Sequence, residues 1–263
     1  MSLSASYVGS NTRGVMLVGH GTRDEVGTAQ FFQLGELLKK QLTPLPVVAC
    51  LLEFQEPTIP QAWQQLIAAG VEHIHVVPLL LFAAGHAKQD IPDLVSECQA
   101  KTPQVTFDQS GPLSRHRSVI EVLLERISHV AQSVAQPVDP ATTALVMVGR
   151  GSHDPCAQAD MRVLTELIAH REEFALVKTA FYAMAEPRLP EILDQVASDP
   201  RISNVIVQPH LLFEGRLYQA IEKQVAEAGQ RNARVNFQVA DYLGPVAEVA
   251  DAIRDRIKQS QVR

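Results

Sequence analysis

Three observations on this 263-residue chain predict an α/β fold of two similar lobes, each a parallel sheet flanked by helices. Short apolar runs alternate with amphipathic stretches from end to end, the pattern of strand–helix–strand units. The apolar runs are near-continuous in Val, Leu and Ile, as burial of a sheet on both faces requires. The third observation is a repeat: VMLVGHGTRD (Val15 to Asp24) returns as LVMVGRGSHD (Leu145 to Asp154).

The first strand is expected over Val15 to Val18, an unbroken apolar run ending at a Gly-His-Gly turn. A helix follows over Thr28 to Gln41, where apolar residues recur at helical spacing. Strands over Val47 to Leu52, Ile74 to Leu81 and Val105 to Phe107 alternate with helices over Pro60 to Ala69, Ile91 to Ala100 and Arg117 to Ala131. The second half repeats the strands at Ala144 to Val148, Val177 to Phe181, Val205 to Val207 and Val235 to Val239, with helices between them. Gln132 to Thr143, with Pro137 and Pro140 and little periodicity, reads as the joining stretch. The expected division is a flexible terminus over 1–13, an N-terminal lobe over 14–135, a linker over 136–143 and a C-terminal lobe over 144–263.

Composition narrows the function. With 23 basic and 29 acidic side chains the net charge is -6, and no long basic stripe is present, so nucleic acid is not an expected partner. Cys50, Cys98 and Cys156 are scattered without a Cys-x-x-Cys pair, which argues against disulfides, structural zinc and an iron–sulfur cluster. The first 13 residues lack an apolar core, and no run approaches the ~18 apolar residues of a membrane span. A cytoplasmic protein without membrane contact is expected, as a monomer whose second half supplies a partner lobe; a dimer would serve equally.

The two copies differ where chemistry is expected. Gly19, Gly21 and Asp24 recur as Gly149, Gly151 and Asp154, whereas His20 becomes Arg150. Glu56, Pro57 and Pro60 recur as Glu186, Pro187 and Pro190, whereas Glu53 falls opposite Ala183. In PLLLFAAGHAKQDI (Pro78 to Ile91) against PHLLFEGRLYQAI (Pro209 to Ile221), Gly85 and Ile91 have counterparts in Gly215 and Ile221, while His86 becomes Arg216 and Asp90 becomes Ala220. Shared residues read as scaffold; His20, Glu53, His86 and Asp90 read as candidates for function.

His20, Glu53 and His86 each closely follow a predicted strand, and in an open α/β sheet ligands bind outside the carboxyl ends of the strands. Two imidazoles and a carboxylate suit a first-row divalent metal such as Co²⁺, Fe²⁺, Ni²⁺ or Zn²⁺ and leave positions open for an incoming ligand. A neutral imidazole is also a base. The plainer readings are a helix cap for His86, a strand-end carboxylate for Glu53 and an N-cap for Asp90. Glu56, retained in both halves before proline, reads as a helix-start residue. His73 and His75 read as packed or surface residues, and His116 as a solvated helix start. Arg150 and Arg216, standing where the histidines were, suit carboxylates, with Arg23, Lys88 and Arg188 as further cations.

VGHGTRDE, LLEFQEPTIPQAW and VVPLLLFAAGHAKQDIP resemble the sirohydrochlorin chelatases of the class II chelatase group, the SirB/CbiX type. GRGSHDP and PHLLFEGRLYQAIE resemble the second half of its two-lobed members, so the resemblance spans roughly residues 14 to 258. It implies insertion of a divalent metal, Co²⁺ or Fe²⁺ and less readily Ni²⁺, into the carboxylate-rich tetrapyrrole sirohydrochlorin without a nucleotide. The absence of a phosphate-binding Gly-x-x-x-x-Gly-Lys-Ser/Thr loop agrees with that. It further implies that His20 and His86 hold the metal and assist deprotonation of the pyrroles, with Glu53 a less uniform partner. Arg150, Arg216, Arg23, Lys88, Gly19, Gly21 and Gly85 are then the expected substrate contacts.

Two rival readings stand beside it. Gly-His-Gly-Thr-Arg is similar to the histidine phosphatase signature, but Gly19 stands where that motif has arginine. A non-catalytic tetrapyrrole or metal carrier fits the same residues, and only turnover separates it from a chelatase.

Overall fold

The computed structural model describes residues 12–82, 89–133 and 138–260. The first sheet is built from β1 (Arg13–Gly19), β2 (Val47–Leu51), β3 (His73–Pro78) and β4 (Thr106–Gln109), parallel and in the order β2-β1-β3-β4. The second, from β5 (Thr143–Gly149), β6 (Leu176–Phe181), β7 (Asn204–Pro209) and β8 (Asn236–Val239), has the order β6-β5-β7-β8, also parallel. The repeat extends to register: Val15 lies opposite Val47, and Leu145 opposite Val177.

Helices α1 (Glu25–Leu42), α2 (Ile59–Ala68), α3 (Ile91–Lys101) and α4 (Arg117–Ser133) follow the strands of the first half. Helices α5 (Pro155–Ala169), α6 (Leu189–Ser198), α7 (Arg216–Arg231) and α8 (Ala247–Ser260) follow those of the second. α1 starts three residues before the periodic stretch because Asp24 caps it, its carboxylate accepting from the Gly27 N–H at 2.9 Å. Asp154 does the same for α5 through the Cys156 N–H at 2.9 Å, with Pro155 in the first turn.

Strand alternation sorts the side chains into three cores. Met16 and Val18 face an outer core with Trp63, Ile74 and Val95 from α2, α3 and β3. Leu145 and Met147, like Val15 and Leu17, face inward, where they meet Phe31, Leu34, Met161, Leu164, Leu123 and Ile253 from α1, α5, α4 and α8. α6 and α7 cover the remaining face of the second sheet. The two sheets therefore enclose one common layer of four helices. The last helix of each half crosses over within it: α4 packs on β7, and α8 on β3 and α1.

The strand expected over Ile74 to Leu81 ends at Pro78. Leu80 and Leu81 turn their carbonyls to the N–H groups of Leu113 and Ser114, at 2.8 and 2.7 Å, instead of to the sheet. The apolar run continues because Leu79 and Leu81 pack into the central core, so burial there does not signify strand.

Candidate active site

The carboxyl ends of β1 and β2 open into two loops that are bolted together. The Leu52 N–H donates to the Gly19 carbonyl at 2.9 Å and the Glu53 N–H to the His20 carbonyl at 3.1 Å. Gly21 permits this closeness: its φ is 94°, and a Cβ there would collide with the Glu53 carbonyl oxygen. His20 and Glu53, distant in sequence, are thus held by one backbone arch, His20 half-buried with Nδ1 3.3 Å from the Gly21 carbonyl and Glu53 exposed. Arg23 leans over the arch, its guanidinium 5.0 Å from the centre of the Phe54 ring.

The second lobe repeats the arch with other side chains. Tyr182 donates to the Gly149 carbonyl and Ala183 to the Arg150 carbonyl, both at 2.9 Å, around Gly151 at φ 90°. The exposed guanidinium of Arg150 stands where the first lobe has an imidazole, and a methyl group replaces the Glu53 carboxylate. Arg216, also exposed, opens α7. The segment before it sits on the first lobe: the Glu214 N–H donates to Gln30 Oε1 at 2.9 Å, and Gly27 leaves just enough room for the Glu214 carbonyl. The chain leading to Arg216 is therefore seated against the start of α1, just beyond the His20 loop.

Several expectations need restating. His86, Gly85 and Lys88 lie outside the described residues. Among the described residues no three His, Cys, Asp or Glu side chains converge as a metal cage. Gly19, at the end of β1, is buried, and a Cβ there would run into the Phe31 ring and Leu51. Asp90 has helical backbone angles, φ -63° and ψ -44°, and makes no capping bond to α3. Glu56 accepts from Gln61 Nε2 at 2.8 Å, beside the start of α2.

His116 is not solvated: its side chain is 12% exposed, Nε2 lies 3.7 Å from Asp255 on α8, and burial lowers its pKa. His73 and His75 share Asp108 Oδ1, at 3.1 and 2.6 Å, at the opposite end of β3 from the arch. The pKa of the buried His75 is lowered, because desolvation outweighs Asp108.

Two residues escaped sequence reasoning. Phe54 sits in the arch at φ 72°, and a left-handed backbone has no signature in an aromatic residue. His210 occupies the position of Leu79 in the repeat, buried against Phe82 with ring centres 5.1 Å apart and both ring nitrogens unpartnered among the described residues. Its replacement of a leucine was the available signal. Burial lowers its pKa to about 3.

Sequence comparison accounts for both arches at once, since the CbiX family model matches residues 14–130 and again 144–260. The chain belongs to the CbiX family. Each CbiX match spans one four-stranded sheet with its helices. A sirohydrochlorin ferrochelatase of Priestia megaterium is 32% identical over 245 residues, 93% of this chain and 89% of that one. A sirohydrochlorin cobaltochelatase of the same organism is 27% identical over 251 residues, 95% of this chain and 81% of that one. Among solved structures, SirB from Bacillus subtilis with Fe³⁺ superimposes with a TM-score of 0.85 at 27% identity, covering 95% of both chains.

Proposed function

We propose that this chain inserts a divalent metal, Co²⁺ or Fe²⁺, into sirohydrochlorin without consuming a nucleotide. The observation that carries this reading is the pair of matching arches, one presenting His20 and Glu53 and the other Arg150 and Ala183. Chelatase relatives of both metal specificities cover nearly the whole chain, so neither metal is preferred on their account.

The macrocycle carries acidic side chains at its rim and two pyrrole protons at its centre. Guanidinium groups at Arg150 and Arg216 suit the rim through paired hydrogen bonds, with Arg23 and Lys88 as further cations. Insertion requires both pyrrole protons to leave. His20 and His86, with Glu53, hold the incoming metal, and as it passes to the ring nitrogens each imidazole it leaves accepts one of the two pyrrole protons. The metal's charge lowers the pKa of the ring nitrogens in the same step. The lobe over 14–135 performs the chemistry and that over 144–263 holds the substrate, joined by 136–143. We place the reaction in the cytoplasm and assign it to a monomer.

Anaerobic spectrophotometry of sirohydrochlorin with Co²⁺, Fe²⁺ or Ni²⁺, with and without protein, tests this reading. Accelerated shifts of the visible bands support a chelatase. Binding without acceleration leaves a carrier.

A further inference from the structure

We infer that Phe54 is a substrate-positioning residue, an apolar plate against which the conjugated ring of the macrocycle lies; this rests on the function proposed above. Phe54 stands between Glu53 and Gln55, whose side chain accepts from the Thr28 hydroxyl at 2.9 Å, so the segment carrying it is fixed at both the β1 and α1 ends. Its φ of 72° lies in the left-handed region, where a Cβ is crowded and Gly or Asn is the relaxed choice. Its side chain is nevertheless large, apolar and 53% exposed. A residue that is unfavourable to backbone and to water alike is retained for what it touches, and such outliers cluster at ligand sites.

The second lobe supports this independently. Met184, at the equivalent position, has φ 55° and is again a large apolar residue, half-exposed, although the preceding residue has changed from Glu53 to Ala183. An apolar side chain on a left-handed backbone is therefore kept where the acid is not. At Phe54 the neighbouring chemistry fits a flat acidic ligand. Arg23 lies over one face of the ring and can pair with a rim carboxylate, while the ring offers a stacking surface beside His20.

The test compares wild type with Phe54→Asn and Phe54→Leu. Four quantities are read: melting temperature, Co²⁺ affinity without macrocycle, affinity for metal-free sirohydrochlorin, and the split between KM and kcat. Phe54→Asn should melt at or above wild type and bind Co²⁺ as wild type does, yet bind sirohydrochlorin about tenfold more weakly, with the loss in KM. Phe54→Leu, equally strained and still apolar, should stay within about threefold of wild type. An Asn variant that binds the macrocycle as wild type does overturns the assignment, as does one that simply melts lower. Wild-type protein that binds no sirohydrochlorin overturns the functional reading and this assignment with it.

Discussion

Arg126 and Arg256 grip each other's lobes through equivalent carbonyls. Arg126 on α4 donates to the Leu243 carbonyl at 3.4 Å and the Tyr242 carbonyl at 3.3 Å, beyond β8; Arg256 on α8 donates to the Leu113 carbonyl at 3.0 Å, beyond β4. Leu113 and Leu243 are equivalent in the repeat, so the two contacts are related by the internal pseudo-symmetry. Around them Gln30 donates to the Tyr242 hydroxyl at 2.7 Å, and Arg115 pairs with Asp160. With one hydrophobic layer between the sheets, the lobes are parts of one cooperative unit.

Unfolding should accordingly be a single transition. Trp63, the sole tryptophan, reports on the outer core of the first lobe, whereas far-ultraviolet circular dichroism reports on both. Their urea curves should coincide, and Arg256→Met should shift both together by about 1–3 kcal/mol for the lost charged hydrogen bond. Curves that separate would show lobes that unfold independently.

Gly21 and Gly151 hold equivalent arches but serve different contents. Gly21→Ala and Gly151→Ala should each cost at least roughly 1–3 kcal/mol, from left-handed backbone and collision with the facing carbonyl. Only Gly21→Ala moves His20 against Glu53, so its kcat should fall sharply, while Gly151→Ala should act chiefly through KM. Equal effects on kcat would mean that the two arches do not divide the work.

His20→Ala should abolish insertion, by about 100-fold or more, while leaving the melting temperature within about 2 °C of wild type, since the ring is half-buried and outside the core. Arg150→Ala and Arg216→Ala should instead raise KM for sirohydrochlorin by about tenfold each, with kcat nearly unchanged. The effect should weaken as salt is added, because exposed charges are screened. A kcat loss at either arginine would place it at the metal rather than at the rim.

The strands, their parallel direction and the closeness of the His20 and Glu53 loops were legible because each rests on local pattern: continuous apolar runs, Gly-x-Gly turns and a constant offset between copies. The crossover of α4 and α8 was not. Both helices are amphipathic, and an apolar stripe specifies that a face is buried without saying on which sheet. Phe54 was missed for a different reason, since a left-handed backbone is announced by glycine or asparagine and this position has neither. His116 looked solvated between two arginines because the cover that buries it, α8, lies more than a hundred residues on.

His210 makes the sharpest prediction about pH. Its ordinary value is 6.5 and its folded value about 3, so between them the unfolded chain binds a proton that the native chain refuses. Its contribution is therefore complete above pH 6.5 and is lost as pH falls toward 3. The slope is about 1.4 kcal/mol per pH unit, roughly 2 kcal/mol between pH 7 and pH 5. His210→Leu, which installs the residue found at Leu79 in the first lobe, removes the buried imidazole and should flatten the profile by that amount. His75 and His116, whose pKa values burial also lowers, keep their share in both proteins, so the difference between urea midpoints at the two pH values isolates His210. Parallel profiles for wild type and His210→Leu would mean that the ring gains a proton, and a partner, in the native state.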